Sequence, residues 1–469
     1  MQYLSTRGGI SPIPFSQAVM MGLASDGGLL LPRNIPRIGA ETFSSWSELS
    51  YAELAFEIMS RFIDDIPSSN LRDLINRSYA SFSSEEVTPL VHHGELHILE
   101  LFHGPTLAFK DVALQFLGNL FEYLLERDDG YLNIVGATSG DTGSAAIYGV
   151  RGKKRIKIFI LHPRNRISPV QERQMTTVTD DNVYNIAIEG TFDDGQAVVK
   201  ALFNDLEFKK THHLGAINSI NWARILAQVV YYVYSCLHVI RHENDKAMDF
   251  SIPTGNFGDI FAGYIAKNLL PEGTVRKLVL ASNANDILSR FVNMGDYSAA
   301  QVQQTSSPSM DIQAASNFER YLYYLLDKDP ERTTEAMLEF AEKGRLDLSG
   351  YCDQIKRDFS ATSVSEEDVE ETIRKFHTDY GYLLDPHTAV GVYAGLRHKQ
   401  NNIPMICLAT AHPAKFAETV RKAAGIDPEQ PEAIQGLFGK QTRCEIMDAD
   451  RDSVQEYIRT NALLQTDAE

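Results

Sequence analysis

The sequence predicts an α/β protein built on doubly wound, mostly parallel open sheets. Short apolar segments alternate with helical ones from about Tyr131 to about Ala281. This alternation is typical of parallel sheets with helices on both faces. Glycine-rich turns follow several of the apolar segments. The flanking regions, 1 to about 90 and about 290 to 380, are instead rich in helical stretches, so we expect a helical N-terminal unit and a helical insertion.

The predicted strands follow in a regular order. They are expected at 131–135 (YLNIV), 155–161 (RIKIFIL), 183–190 (VYNIAIEG), 248–253 (MDFSIP) and 276–281 (RKLVLA). Ser168 and Pro169 are typical of a helix cap and first turn, and another helix is expected to start near Thr191. The segment MICLATAHPAKFAETV predicts a last strand, with a helix that starts at Pro413. In such folds ligands bind at loops that leave the carboxyl ends of strands.

Composition excludes several classes of function. Of 469 residues, 43% are hydrophobic and 23% charged, and the net charge is −18, which argues against nucleic acid or an anionic membrane as partner. No signal peptide is visible at the N-terminus. The apolar stretch from Trp222 to Ile240 contains Arg224, Gln228 and His238 and predicts a buried helix. Four widely spaced cysteines favour a reducing cytoplasm.

One lysine lies in an apolar run. Lys110 stands between Phe109 and Asp111 in LFHGPTLAFKDVALQFL. Such a lysine either extends its ammonium to water from a helix face or is held in a pocket for chemistry. Burial lowers the pKa of an amine, which is what a nucleophilic lysine requires. The lysine by itself leaves both interpretations open.

Three strand-to-helix turns are candidate binding sites. GATSGDTGSAA (136–146) carries Ser and Thr hydroxyls at a helix start, where an anion can bind. The segment is equally typical of a tight turn with a helix cap. In PTGNFGDIFAG (253–263), Gly255 and Gly258 permit the positive φ angles that aim backbone N–H groups at a phosphate, although this segment by itself also fits an ordinary turn. In LATAHPAKF (408–416), Thr410 is expected at a strand end, and His412 to cap or pack against the next helix. The histidine groups lack the partners of a metal signature, so no metal site is expected.

These motifs together resemble the threonine synthases. HGPTLAFKDVALQ, TSGDTGSAA, PTGNFGD, SPSMDI (307–312), DPHTAVG (385–391) and TAHPAKF (410–416) resemble that family's motifs and occur in the same order. The opening YLSTRGGISPIPFSQAVMMGLASDGGLLLP is similar to the family's longer bacterial and fungal branch. The resemblance spans nearly the whole chain, which makes it specific.

The resemblance implies a pyridoxal-phosphate enzyme of fold type II, with the tryptophan-synthase β-like fold and two sheets. Its substrate would be O-phospho-L-homoserine, converted with water into L-threonine and phosphate in the last step of threonine biosynthesis. Lys110 would bind the cofactor aldehyde, be displaced by the substrate amine, and then move protons. Its apolar neighbours Leu107, Phe109 and Val112 would lower the pKa of the amine.

The resemblance also assigns roles to the turns. The cofactor phosphate would be held by Gly255, Asn256, Phe257 and Gly258, and the ring nitrogen by the hydroxyl of Thr410. The substrate carboxylate would be bound by Thr138, Ser139, Gly140, Asp141 and Thr142. Candidate cations for the substrate phosphate are Arg164, Arg166 and Arg224.

Asp141 is a departure from the wider fold family, which usually has Asn at this position, although the longer threonine synthases resemble this chain in having Asp. An ionised Asp cannot donate a hydrogen bond to the cofactor, and it would repel the substrate carboxylate. We therefore expect Asp141 to turn away and cap a helix that starts at Thr142. The alternative is that it stays protonated and donates.

The predicted domains are residues 1–90, a smaller α/β region at 91–210 with Lys110, and a larger cofactor-binding region at 211–469. The expected partner is a small molecule, and the expected state is a monomer or homodimer. Two other functions stay open at this point. One is a related phospho-lyase or a threonine or serine dehydratase that releases a 2-oxo acid, and the other is a non-catalytic metabolite-binding homologue.

Overall fold

The computed structural model describes residues 1–243 and 245–464, and its chain forms two compact units. Unit 1 comprises residues 1–76, 82–103 and 219–428. Unit 2 comprises residues 77–81, 104–218 and the chain from 429 onward. Both units combine segments that are distant in the sequence. The three-part division expected at about residues 90 and 210 stays a prediction.

The strands are short and distributed along the whole chain. They are β1 (Tyr3–Ser5), β2 (Leu30–Pro32), β3 (Leu90–His93), β4 (Leu96–Glu100), β5 (Leu132–Ala137), β6 (Ile156–Pro163), β7 (Val183–Glu189), β8 (Leu214–Gly215), β9 (Met248–Pro253), β10 (Val275–Ser282), β11 (Asp296–Ser298), β12 (Arg345–Asp347), β13 (Phe359–Ser363), β14 (Met405–Ala409) and β15 (Glu445–Asp448).

The α-helices alternate with these strands. They are α1 (Phe15–Met21), α2 (Ala40–Ser45), α3 (Tyr51–Met59), α4 (Ser68–Tyr79), α5 (Lys110–Arg127), α6 (Asp141–Val150), α7 (Pro169–Thr176), α8 (Phe192–Asn204), α9 (Leu206–Thr211), α10 (Trp222–Glu243), α11 (Gly258–Leu269), α12 (Ile287–Met294), α13 (Phe318–Leu325), α14 (Pro330–Lys343), α15 (Cys352–Asp358), α16 (Glu366–Tyr380), α17 (Pro386–His398), α18 (Ala417–Ala424) and α19 (Arg451–Asn461). Short 3-10 helices cover Pro308–Met310, Ser349–Tyr351, Pro413–Phe416 and Leu437–Gly439.

Unit 1 is organised around a six-stranded sheet with the order β13-β10-β9-β14-β4-β3. Its pairs are parallel except for β3 with β4, which is antiparallel. Apolar side chains of β9, β10 and β14 are fully buried, as expected for strands covered on both faces. Because β9 and β14 are parallel neighbours, the turns that follow them leave the same edge of the sheet.

Unit 2 contains a five-stranded sheet with the order β15-β7-β6-β5-β8, and all its pairs are parallel. A buried cluster that includes Val135, Phe159, Ile186 and Leu202 forms part of its core. The turn that begins at Thr138 leaves the carboxyl end of β5. The predicted fold class, with mostly parallel sheets alternating with helices, is confirmed.

Helix starts follow the local capping signals. Ser168 accepts a hydrogen bond from Gln171 N–H, and the Gln171 side chain accepts one from Ser168 N–H, which makes a capping box before α7. Thr191 forms the same arrangement with Asp194 before α8. Both predicted helix starts are therefore confirmed.

Three regions refine the sequence predictions. The chain at Pro413 first forms a 3-10 turn, and α18 begins only at Ala417. The region 290–380 is helix-rich, but its segment Phe359–Ser363 is a strand that pairs with β10 at the edge of the sheet. The segment is short, and its buried and exposed residues alternate as they do in an edge strand. The helix α10 is long and apolar enough to cross a membrane, yet its side chains are mostly buried within unit 1, to which it belongs. It is the buried helix that the sequence predicts.

Candidate active site

The chain that leads to Lys110 is shaped by Asp111. The Asp111 carboxylate accepts hydrogen bonds from the backbone N–H of Thr106 at 2.8 Å and from its hydroxyl at 2.7 Å. A Cβ at Gly104 would lie 2.3 Å from the Asp111 Cβ, so only glycine fits there. Leu107 has a left-handed φ of 60°. The HGPT segment is thus a tight turn whose contacts fix the first residues of α5.

Lys110 is the first residue of α5 and is 7% exposed. Its Nζ lies 5.0 Å from the centre of the Phe109 ring and 3.6 Å from Oδ2 of Asp141. The lysine is therefore buried rather than extended into water. An ionised carboxylate at this distance favours the ammonium form and opposes the effect expected from the apolar neighbours.

The expectation for Asp141 is wrong. Helix α6 begins at Asp141 itself, with Gly140 as its N-cap. The carboxylate does not turn away, since it is 4% exposed and faces Lys110. Its Oδ1 accepts a hydrogen bond from Nε2 of Gln171 at 2.8 Å. Two donors from other elements therefore outweigh a local cap, although the charge still lies in the first turn of the helix, where the dipole favours it.

Gly140 and Thr138 shape this turn. Gly140 has a φ of 133°, and a Cβ there would lie 2.4 Å from the Gln171 side chain. The buried Thr138 hydroxyl accepts hydrogen bonds from Gly140 N–H at 3.0 Å and Gly143 N–H at 2.8 Å. Ser139 and Thr142 are only partly buried. The Thr138 hydroxyl therefore stabilises the loop, while Ser139 and Thr142 are partly exposed in it.

The turn after β9 departs from the prediction in one respect. The positive φ angles that Gly255 and Gly258 permit are absent from these two residues. Phe257 instead has a φ of 62°. A left-handed non-glycine residue is strained by about 1–2 kcal/mol, and burial of the Phe257 ring against Phe318 and Phe359 offsets this strain.

Gly255 is needed for a close approach of two backbones. A Cβ at this position would lie 2.7 Å from the carbonyl oxygen of Ser309 and 3.1 Å from Cα of Met310. The carbonyl oxygen of Asn256 accepts a hydrogen bond from Asn317 N–H at 3.0 Å. The N-cap of α11 is Phe257, whose ring cannot accept hydrogen bonds from the first-turn N–H groups. Those N–H groups are the donors an anion requires.

Thr410 follows β14 and is 6% exposed. Its backbone N–H donates to the hydroxyl of Thr388 at 3.1 Å. The nearby His412 accepts a hydrogen bond from Ala414 N–H at 3.1 Å and caps the 3-10 turn. Burial lowers the pKa of His412 to about 4, so this histidine is neutral at physiological pH. The predicted capping role of His412 is confirmed.

The three candidate arginines differ sharply in their surroundings. Arg164 is 43% exposed and paired with Glu189, and Arg166 is exposed. Arg224, in the first turn of α10, is 4% exposed. Within the described residues its Nε and Nη1 have no hydrogen-bond partner. Burial lowers the pKa of Arg224 to about 10, which still leaves the guanidinium charged at neutral pH.

Some residues around the site were missed by the sequence reasoning. Gln171 lies in the first turn of α7, and its side chain orients Asp141. Asp385, His387 and Thr388 form a buried hydrogen-bonded group next to Thr410. An Asp directly before Pro is a helix-start signal that could have located Asp385.

The residues present fit an aldehyde-bearing phosphate cofactor. Unit 2 contains a buried amine at Lys110, and unit 1 contains N–H donors beside a glycine at the start of α11 and a neutral hydroxyl at Thr410. Among residues 1–243 and 245–464, no group of three or more His, Cys, Asp or Glu side chains could hold a metal ion. The fold and these residues define an enzyme class that uses a lysine-bound pyridine cofactor.

Comparison with known proteins confirms this class. Residues 83–353 match the family described as pyridoxal-phosphate dependent enzyme. Residues 2–79 match the threonine synthase N terminus, and residues 388–458 match the C-terminal threonine synthase family.

Individual relatives agree with these families. A threonine synthase of Schizosaccharomyces pombe is 49% identical over 460 residues, which cover 90% of this chain and 89% of that relative. One from Pseudomonas aeruginosa is 45% identical and covers 98% of both chains. The crystal structure of a pyridoxal-phosphate-bound threonine synthase from Brucella melitensis has a TM-score of 0.95 and 42% identity, and covers 98% of this chain and 99% of that one.

The chain therefore belongs to the threonine synthases. The predicted family, fold class, cofactor and enzymatic function are confirmed.

Proposed function

We propose that this chain converts O-phospho-L-homoserine and water into L-threonine and phosphate, with Lys110 as the residue that carries pyridoxal phosphate. The observation that supports the choice of lysine is the buried Lys110 amine at the start of α5, facing Asp141 at 3.6 Å. When bound, the cofactor supplies an electron sink that permits proton removal next to the substrate amine. The remaining steps depend on the side chains of this protein.

Lys110 would hold the cofactor aldehyde, and the substrate amine would displace it. The freed Nζ would then accept a proton from Cα of the substrate and later return one. The Asp141 carboxylate stabilises the ammonium that forms on Lys110. Gln171 holds this carboxylate in place through its Nε2. Lys110 is thus both the attachment point and the proton carrier.

The turn from Gly255 to Gly258 would hold the cofactor phosphate through backbone N–H groups at the start of α11. Asn256 adds a side-chain amide in this turn. The Thr410 hydroxyl would hold the ring nitrogen and, as a neutral partner, would favour its protonation less than a carboxylate would. These assignments rest on the close approach at Gly255 and on the buried position of Thr410.

The turn at the start of α6 binds the substrate carboxylate. Ser139 and Thr142 supply hydroxyl donors, and Gly140 supplies a backbone without a side chain. Thr138 contributes indirectly, because its oxygen already accepts two N–H groups of the loop. The charge of Asp141 is directed to Lys110 and Gln171, so it does not need to face the substrate carboxylate.

Arg224 is the strongest of the three candidates for the substrate phosphate. A buried guanidinium with unpartnered N–H groups is costly unless an anion compensates it. Arg164 already has Glu189 as its partner, and both Arg164 and Arg166 are exposed. A phosphate with two negative charges would satisfy Nε and Nη1 of Arg224, which have no partner among residues 1–243 and 245–464.

Two measurements test the proposal. Phosphate and threonine should form from O-phospho-L-homoserine in equal amounts, and release of a 2-oxo acid in place of threonine would contradict it in favour of a phospho-lyase. Borohydride reduction of the cofactor-bound protein, followed by peptide mapping, should label Lys110. Labelling of Lys267 or Lys415 instead would refute the assignment of the lysine.

The setting of the enzyme is also a proposal. We place it in the cytoplasm as a monomer or homodimer that acts on a small molecule, without a nucleic-acid or membrane partner. The free state of Cys236, Cys352, Cys407 and Cys444 supports a reducing compartment. Size-exclusion chromatography with light scattering tests the expected assembly.

A further inference from the structure

The DPHT segment forms a buried hydrogen-bond centre in unit 1. Asp385 is the N-cap of α17 and its side chain is fully buried. Its carboxylate accepts hydrogen bonds from the backbone N–H of His387 at 2.9 Å and of Thr388 at 3.2 Å. It also contacts the His387 ring and the Thr388 hydroxyl. A helix cap needs only the two backbone bonds, so the two side-chain bonds call for a further explanation.

The hydrogen bonds of His387 determine its tautomer. Its Nδ1 lies 2.9 Å from Oδ1 of Asp385, and its Nε2 lies 3.3 Å from the backbone nitrogen of Ser309. A backbone N–H can only donate, so Nε2 must accept. An ionised carboxylate can only accept, so Nδ1 must carry the proton. The neutral Nδ1–H form is the one tautomer that satisfies both neighbours.

Ser309 connects this histidine to the turn after β9. Its N–H is bound by His387, and its carbonyl oxygen is the atom that a Cβ at Gly255 would meet at 2.7 Å. Ser309 lies in the 3-10 turn Pro308–Met310. The position of this turn therefore limits where the Gly255 backbone can lie.

Thr388 connects the same carboxylate to the end of β14. Its hydroxyl donates to Asp385 and accepts the backbone N–H of Thr410 at 3.1 Å. The direction of both bonds is set, because the hydroxyl has one proton and Asp385 uses it. The backbone of Thr410 is thereby tied to Asp385.

We propose that Asp385, His387 and Thr388 are positioning residues that hold the Thr410 backbone and the Gly255 turn in fixed relation through one hydrogen-bonded chain. The chain runs from Thr410 N–H through Thr388, Asp385 and His387 to Ser309, which packs on Gly255. The inference rests on the proposed function, in which Thr410 contacts the cofactor ring and the Gly255 turn binds its phosphate. It gives a role to the SPSMDI and DPHTAVG motifs.

The first test is the tautomer of His387. In protein labelled with ¹⁵N-histidine, side-chain NMR should show His387 with a protonated Nδ1 and an unprotonated Nε2, both with and without cofactor. The His387→Gln variant assigns the signal. A protonated Nε2 would overturn the chain, because Nε2 could then not accept the Ser309 N–H.

The second test measures how strongly the protein prefers pyridoxal phosphate over pyridoxal, as the dissociation constant for pyridoxal divided by that for pyridoxal phosphate. This ratio measures how much the phosphate-binding turn contributes to affinity. Thr388→Val removes the hydroxyl at the Thr410 end and should lower the ratio by about 2- to 10-fold, the effect of one lost hydrogen bond. His387→Phe should lower it as well, and Thr388→Ser should restore it.

Thr333→Val is the matched control, because the buried Thr333 hydroxyl donates to the carbonyl of Asp329, the N-cap of α14, and its loss should leave the ratio unchanged. A Thr388→Val variant that loses affinity for both ligands equally would overturn the chain. If the wild-type protein itself shows no preference for pyridoxal phosphate, the proposed role of the Gly255 turn fails. The NMR measurement of the His387 tautomer then tests the hydrogen-bonded chain by itself.

Discussion

Gly255→Ala is the sharpest test of the turn after β9. The added Cβ would lie 2.7 Å from the Ser309 oxygen and 3.1 Å from the Met310 Cα. Ordinary contacts begin at about 3.5 Å, so the two backbones must separate by roughly 0.8 Å. Because both obstacles are backbone atoms, no side chain can rotate away. Overpacking of this kind costs about 1–3 kcal/mol, which corresponds to a loss in cofactor affinity of about 5- to 150-fold if the turn moves.

The assay is a titration of cofactor-free protein with pyridoxal phosphate, followed by absorbance, with urea unfolding of the same samples. Gly350→Ala is the control, since a Cβ there meets nothing within 4 Å. Gly258→Ala should have a weaker effect, because its nearest obstacle is the Asn317 side-chain amide at 3.2 Å. If Gly255→Ala binds the cofactor as tightly as Gly350→Ala does, the close approach has no functional meaning and the phosphate site lies elsewhere.

Three further predictions follow from buried charges. Burial raises the pKa of Asp259 to about 6, so the folded protein keeps a proton that the unfolded chain loses near pH 4. The free energy of unfolding of the cofactor-free protein should therefore fall by about 2–3 kcal/mol between pH 4 and 7 relative to Asp259→Asn, and parallel urea-unfolding profiles for the two proteins would contradict this. Arg224→Lys should raise KM for O-phospho-L-homoserine by about 10- to 100-fold, whereas Arg164→Lys should leave it unchanged, and equal steady-state effects of the two would refute the choice of Arg224. Asp141→Asn should shift the pH profile for acylation of Lys110 in cofactor-free protein to lower pH, because a neutral amide no longer favours the ammonium form, and an unchanged profile would show that the pair at 3.6 Å has no electrostatic effect.

The local features of this protein could be predicted from its sequence. Strand and helix positions depend on apolar periodicity and on capping residues within a few positions, as the capping boxes at Ser168 and Thr191 show. The same short-range information placed Thr410 at the end of a strand. The ordered motifs were enough to indicate the family.

What the sequence could not decide depends on contacts between residues far apart in the chain. Whether Asp141 caps a helix or faces Lys110 is settled by Gln171, thirty positions away. The left-handed angle falls on Phe257 rather than on a glycine because a distant aromatic cluster buries its ring. Arg224 differs from Arg164 through burial and the lack of a described partner for its Nε and Nη1, neither of which a pattern of residues reveals. Local sequence sets which backbone conformations are accessible, but desolvation and hydrogen bonding in the folded core determine which side chains are left to bind and react.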